Sequence, residues 1–293
     1  MTLSRQIRAA IGMARTSGVA ATFERVRNFA HAKIAARRRE AQFNRMQLTQ
    51  PQIREILGSR MRLDPGRRGL DRDLLLDGIR EPIATGHIMA TLGADDIALE
   101  IGANIGYYAL IEARICRRVL AVEPHPDNYK RLIENLTLNG AENVETFNLA
   151  FGAVEGEIPM SCSALSNWHS CRGAISEDRT SIMVPCTQID SFCSTHGYPT
   201  FMKMDVEGFE LEVLRGASTT LQKVRGLFLE LHGDILSSDE IREVLERVEA
   251  GGLTPSLVAQ YDRPGLARLY PVSQVDRIRD GDRGTFELFF SRV

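Results

Sequence analysis

Four short apolar runs, each closing on a charged residue, give this 293-residue chain its frame. They are Ile97–Leu99 before Glu100, Val119–Val122 before Glu123, Phe201–Met204 before Asp205, and Gly226–Leu231 before His232, the last two each interrupted by one charged residue, Lys203 and Glu230. Runs this short and this apolar, bounded by turn residues, predict strands buried on both faces. Between them the apolar spacing changes to the 3.6-residue period of helices, over Tyr107–Ile115, Asp127–Asn139 and Ser238–Ala250. A further strand is expected at Val144–Leu149, and Leu257–Gln260 with Phe286–Phe290 should close the sheet as an antiparallel hairpin. Strand alternating with helix implies an α/β fold: a doubly wound, seven-stranded, mostly parallel sheet. The segment Leu63–Met89, including Asp77-Gly78-Ile79-Arg80-Glu81-Pro82, leads into it and should help close the substrate side. Residues 155–179 have no clean period of 2 or 3.6 and carry the only tryptophan, Trp168. That loop reads either as a lid over the binding side or as a hairpin covering the sheet edge, with Trp168 and His169 near its middle.

The first run continues Glu100-Ile101-Gly102-Ala103-Asn104-Ile105-Gly106 into the next helix. Two glycines four apart after a strand describe a tight turn onto a helix N-terminus, where free N–H groups favour a polar ligand. The spacing is neither the G-x-G-x-x-G of dinucleotide enzymes nor a phosphate loop. A carboxylate just before the turn, Glu100, would repel a pyrophosphate and attract an ammonium group such as that of S-adenosylmethionine (SAM). Glu123, at the tip of the next strand, is placed to accept hydrogen bonds from ribose hydroxyls. Gly102, Asn104 and Gly106 complete the expected cofactor turn; Asn148, from the third strand, stands where SAM enzymes of this architecture border the adenine, with an ordinary turn residue as the alternative.

Alternation puts Lys203 and Asp205 on one face of their strand, and Glu230 and His232 on one face of theirs. Charge inside a parallel sheet is rare unless paired or used. A Lys203–Glu230 pair locking two strands is the expected structural role for those two. Asp205, Glu207 and His232, at the strand tips, are the candidate catalytic residues.

Glu100-Ile101-Gly102-Ala103-Asn104-Ile105-Gly106-Tyr107-Tyr108, Ala121-Val122-Glu123-Pro124, Met202-Lys203-Met204-Asp205-Val206-Glu207-Gly208 and Leu229-Glu230-Leu231-His232 resemble, in order, the motifs of the FkbM family of SAM-dependent methyltransferases. The resemblance runs from about Asp71 to the C-terminus, with Glu100 standing where the family commonly has Asp. It implies a Rossmann-like methyltransferase fold, SAM as cofactor, and acceptors that are often hydroxyls on sugars or small natural products. SAM supplies the electrophile, which leaves the protein to orient an acceptor and remove its proton. His232 is suited to that task by an unperturbed pKa near ~6.5, and Asp205 is the other candidate base. Asp205, Glu207, Glu230 and His232 also form a possible ligand set for a divalent metal, ranked behind metal-free catalysis. A non-catalytic SAM-binding or scaffold protein is the remaining alternative.

Composition changes the picture only at the start of the chain. Apolar content of 43% and charged content of 25% are those of a globular enzyme. Five scattered cysteines form no metal-binding pattern and read as reduced thiols of a cytoplasmic protein. Residues 1–70, however, carry 15 Lys+Arg against 4 Asp+Glu. This reads as a basic helical N-terminal extension, with patterns over Leu3–Ala14 and Ala20–Met46, ahead of a methyltransferase domain over 71–293. It should pack on the domain or a second subunit, with an anionic membrane surface or acidic partner as the sharper possibility. No basic, aromatic-rich module for nucleic acid is recognisable.

Overall fold

The computed structural model describes residues 36–162, 170–172, 180–261 and 267–292. The helical patterns expected before residue 36 and the loop around Trp168 and His169 lie outside them. The chain divides into two compact units, 1–49 and 50–293. The described part of the first is a helix over 36–45. Among the described residues no helix is long and apolar enough to cross a membrane.

The second unit opens with a hairpin, β1 (Gln52–Ile56) and β2 (Ser59–Leu63), paired Gln52↔Leu63 to Ile56↔Ser59. This stretch falls inside the region read from its charge as helical. Alternation along Ser59-Arg60-Met61-Arg62-Leu63 buries Ser59, Met61 and Leu63 and exposes both arginines. Leu57 and Gly58, at φ 48° and 79°, make the turn that a two-residue hairpin requires. The helix Pro126–Asn139 holds the hairpin: Asn139 Oδ1 and Asn135 Oδ1 accept from the Arg60 and Arg62 N–H groups, each at 2.7 Å.

The central sheet contains β3 (Ile97–Ile101), β4 (Arg118–Val122), β5 (Val144–Phe147), β9 (Phe201–Met204), β10 (Gly226–His232), β11 (Thr254–Tyr261), β12 (Ala267–Tyr270) and β13 (Thr285–Ser291). Its spatial order is β12-β11-β13-β10-β9-β3-β4-β5, parallel from β5 to β10 and antiparallel beyond. The sheet thus has eight strands rather than seven, because β12 adds an outer edge to β11. The expected closing pair is present, with Leu257↔Phe289 and Val258↔Leu288 in register. β6 (Ala150–Phe151), β7 (Gly156–Cys162) and β8 (Thr180–Thr187) form a separate three-stranded sheet between the third and fourth parallel strands. Pro159 and the polar positions of Gly156–Cys162 hid its period.

Both faces of the sheet are covered. The helix Ser238–Ala250 starts at a capping box between Ser237 and Glu240, and its stripe Ile241, Val244, Leu245, Val248 is buried. These side chains meet Leu227, Leu229 and Leu231 in the main core, each worth roughly 1.5–3 kcal/mol. On the other face Phe228 packs against Phe289 and Tyr108.

One ionic group sits inside this core. Register aligns Lys203 with Glu100 on one side and Phe228 on the other. Lys203 Nζ therefore donates to Glu100 Oε1 at 3.0 Å, with both residues about 2% exposed or less, and lies 4.5 Å over the Tyr108 ring. The expected Lys203–Glu230 pair does not form, because Glu230 lies one step further along, level with Asp205. Glu112, fully buried on the helix Tyr107–Ala113, faces the pair. One ammonium cannot neutralise two carboxylates. Burial, aided by the Glu100 charge, accordingly holds the Glu112 carboxyl well above its usual range, while the neighbouring carboxylates hold Lys203 charged.

Replacing only the lysine, in Lys203→Met, should cost about 3–5 kcal/mol of unfolding free energy in urea, because it strands Glu100. The double change Lys203→Met/Glu100→Leu should recover most of that loss. A single-variant loss below about 1 kcal/mol would show that the pair does not anchor β3 to β9.

Candidate active site

The parallel strands run outward from β3 in two directions, to β4 and β5 and then back to β9 and β10. The reversal leaves a crevice at the carboxyl ends of β3 and β9, where ligands bind in open α/β sheets. Gly102 leaves β3 at φ 83°, and a Cβ there would run into the Asp205 carbonyl oxygen at the end of β9. Gly106, at φ 92°, has Leu132 where its Cβ would be. Only glycine satisfies both positions.

The turn spends its donors inside the protein. Gly102 and Ala103 N–H groups both donate to the Val122 carbonyl at 3.0 Å, Gly106 N–H to Ala103 at 2.9 Å, and Asn104 N–H to Glu123 Oε2 at 2.8 Å. The helix that follows has only seven residues. Four N–H groups of the expected cradle, those of Gly102, Ala103, Asn104 and Gly106, are therefore spent within the protein. What remains is a carboxylate surrounded by backbone. Glu123, 4% exposed, also accepts from His125 N–H at 2.9 Å. Burial outweighs these bonds and pushes its carboxyl up to about 7.

A cleft of about 590 Å³, partly open to solvent, runs from Gly102, Asn104 and Glu123 along Leu149, Ala150 and Phe151 to Asp205 and Glu207. Met160 of β7 and Cys171 form part of its wall. Two residues expected in the cofactor site stand elsewhere. Glu100 does not border the cleft, because its carboxylate is committed to Lys203 beneath it. Asn148 turns its Nδ2 to the carbonyls of Glu123 and Pro124, at 2.8 and 3.0 Å, and pins the end of β4 while its neighbours line the cleft.

The strand tips bring together more ionisable groups than the sequence suggested. His232 Nδ1 lies 2.5 Å from Glu210 Oε1, and its Nε2 lies 3.1 Å from Glu207 Oε2 and 3.9 Å from Glu230 Oε1. Burial opposes a charge on this ring, but the Glu210 and Glu207 carboxylates hold it well above the usual histidine range. With a carboxylate at each nitrogen, His232 stands behind Glu207 and not in the cleft. The role expected of it, a base touching the acceptor, does not match that position. Asp205 is held below the usual carboxylate range against its burial by Lys203, His232 and Arg80. Glu207 is raised by burial despite His232. Glu207 also holds φ 51°, a left-handed conformation costly for a residue with a Cβ.

Glu210 and Glu287 were not foreseen, and Arg80 was expected only as part of the segment closing the substrate side. Arg80 reaches the cluster from the loop before the helix Pro82–Thr91, with its Nε 2.5 Å from Glu81 Oε1. Glu287 is the register partner of Glu230, and burial with the nearby Glu81 charge pushes it up to about 8. Glu210 opens the helix Glu210–Arg215, and Glu207 stands before it in the turn, so no helical spacing relates the two.

The fold and site define a doubly wound α/β domain whose cleft leads to a cluster of carboxylates. The Methyltransferase FkbM domain model matches residues 100–251, just over half of the chain. The hexuronic acid methyltransferase AglP of Haloferax volcanii is 30% identical over 149 residues, which cover 50% of this chain and 59% of that protein. Among solved structures, an FkbM methyltransferase from Methylobacillus flagellatus is similar at 20% identity and a TM-score of 0.44, over 67% of this chain and 43% of that one. The TYW2 protein of M. jannaschii in complex with AdoMet gives 14% identity and a TM-score of 0.42, over 84% and 88%. The chain belongs to the FkbM methyltransferase family. The methyl donor of this class is SAM, and the cleft fits it: acceptor oxygens at Glu123 suit ribose hydroxyls, and no phosphate-binding donors are wasted.

Glu123 gives the domain a pH signature. Its carboxyl titrates at about 7 when folded, against 4.5 ordinarily, so the stability it contributes is present below about pH 4.5 and is lost as the pH rises to 7. Unfolding free energy should fall over that window by on the order of 1–3 kcal/mol from this group, and Glu123→Gln should remove that part of the slope. Identical slopes for the two proteins would show that Glu123 is not a strained buried acid.

Proposed function

We propose that this chain transfers the methyl group of SAM to an oxygen of a sugar or glycan acceptor. The observation that carries the reading is one cleft with a ribose-suited carboxylate, Glu123, at one end and Asp205 with Glu207 at the other. The name of the Haloferax relative supports a sugar acceptor. Because this chain covers 59% of that relative, its own acceptor is part of the proposal.

SAM, when bound, supplies an electrophilic methyl group. The chain's residues do the rest. Gly102, Asn104 and Gly106 shape the turn against which the cofactor lies, and Glu123 accepts from its ribose. Asp205, with an Oδ1 that meets no hydrogen-bond donor among the described residues, takes the proton of the acceptor hydroxyl. Glu207, backed by His232 and Glu210, orients that hydroxyl. Positioning of this kind contributes up to about 7–11 kcal/mol in well-oriented cases, and a general base typically adds ~10²–10⁴-fold.

Formation of S-adenosylhomocysteine should be followed against uronic acids, neutral sugars and lipid-linked glycans. Asp205→Asn should keep SAM affinity within a few-fold while turnover falls about 10²–10⁴-fold. Near wild-type turnover would remove Asp205 from the chemistry. Glu123→Ala should weaken SAM binding roughly ten- to a hundredfold in calorimetry, the loss of about 1.5–3 kcal/mol of hydrogen bonding. Unchanged affinity in a folded variant would overturn the cofactor placement.

A further inference from the structure

We propose that His232, Glu207 and Asp205 form a binding site for one divalent metal ion that holds the acceptor oxygen, an inference that rests on the methyltransferase reading above. One nitrogen or oxygen atom from each of the three lies within 4.8 Å of the others, the compactness a single ion needs. Asp205 and Glu207 come from the loop after β9 and His232 from the end of β10, so the pairing of these two neighbouring strands brings the histidine to the two carboxylates.

Two further observations point to an ion. The first is unspent coordinating capacity. Glu230 Oε2 and Asp205 Oδ1 are shielded from solvent and meet no hydrogen-bond donor among the described residues. Glu230 is only 9% exposed, and its other oxygen lies 3.9 Å from His232 Nε2, so this carboxylate faces the same point. Buried carboxylate oxygens without donors are costly unless something positive satisfies them. The second is the outer support. Glu210, fully buried, engages His232 Nδ1 at 2.5 Å, which fixes the ring and directs Nε2 at Glu207. A carboxylate behind a histidine is the arrangement that orients imidazole toward a metal, the ion replacing the Nε2 proton. One imidazole nitrogen with two or three carboxylates suits Mn²⁺ or a similar divalent ion.

The ion's place explains why Asp205 and Glu207 border the cleft while His232 and Glu230 stand behind them. An acceptor hydroxyl bound at the cleft end would be acidified by the ion. As the new O–CH₃ bond forms, the S–CH₃ bond breaks with its electron pair going to sulfur. The hydroxyl proton passes to the Asp205 oxygen that does not hold the ion and then to solvent.

The test titrates Mn²⁺ into the full chain with S-adenosylhomocysteine present and follows the loss of the free-ion EPR signal. One site per chain is expected, with His232→Ala and Glu207→Gln each weakening it at least tenfold while S-adenosylhomocysteine affinity stays within a few-fold. Should either variant fail to fold, ¹⁴N coupling to bound Mn²⁺ in the wild-type chain reads the histidine ligand directly. Absence of stoichiometric binding, absence of ¹⁴N coupling, or equal affinity in both variants overturns the site while leaving the methyltransferase reading intact. Failure of S-adenosylhomocysteine to bind would instead overturn that reading.

Discussion

The close approach of Gly102 to the Asp205 carbonyl is the constraint on which the site depends. It occurs where the sheet reverses direction, and it closes because Asp205 N–H also donates to the Ile101 carbonyl at 3.1 Å. Those two contacts bring the cofactor turn and the ionisable strand tip within one residue's reach. Any side chain at Gly102 would push the ends of β3 and β9 apart and separate the two halves of the chemistry. The Lys203–Glu100 pair works from below to the same end. It sits two residues before Asp205 and joins the same two strands through a contact that tolerates neither partner alone.

Much of the fold was legible because its signals are local. Short apolar runs ending on Glu100, Glu123, Asp205 and His232 marked four interior strands, and the stripe of Ser238–Ala250 marked a helix. What escaped were features set by pairing. The β1–β2 hairpin lies in a stretch rich in arginines, and its period-2 burial of Ser59, Met61 and Leu63 spans only five residues. The strand β12 and the small sheet of β6, β7 and β8 exist because partners are available to them, and their own sequences carry little alternation.

The candidate site divides along the same line. Which residues cluster at the strand tips was readable, since alternation and strand ends depend on the sequence of one strand. Which residues touch was not, because that depends on register between strands. Lys203 meets Glu100 and not Glu230 for this reason alone. Likewise, the acidity expected of a free histidine said nothing about His232 once Glu210 and Glu207 had closed on its two nitrogens. Glu123 kept its place at the tip of the second parallel strand, because strand length and the turn before it determine that position without help from any partner.

The three-stranded sheet of β6, β7 and β8 enters between the third and fourth parallel strands and pairs with none of the main sheet. It nevertheless furnishes Phe151 and Met160 to the cleft. A segment attached in this manner can be lengthened, shortened or exchanged without shifting the register of any central strand. A change of length or composition in this segment would therefore reshape the part of the cleft formed by Phe151 and Met160 and leave the part formed by Gly102, Glu123 and Asp205 in place.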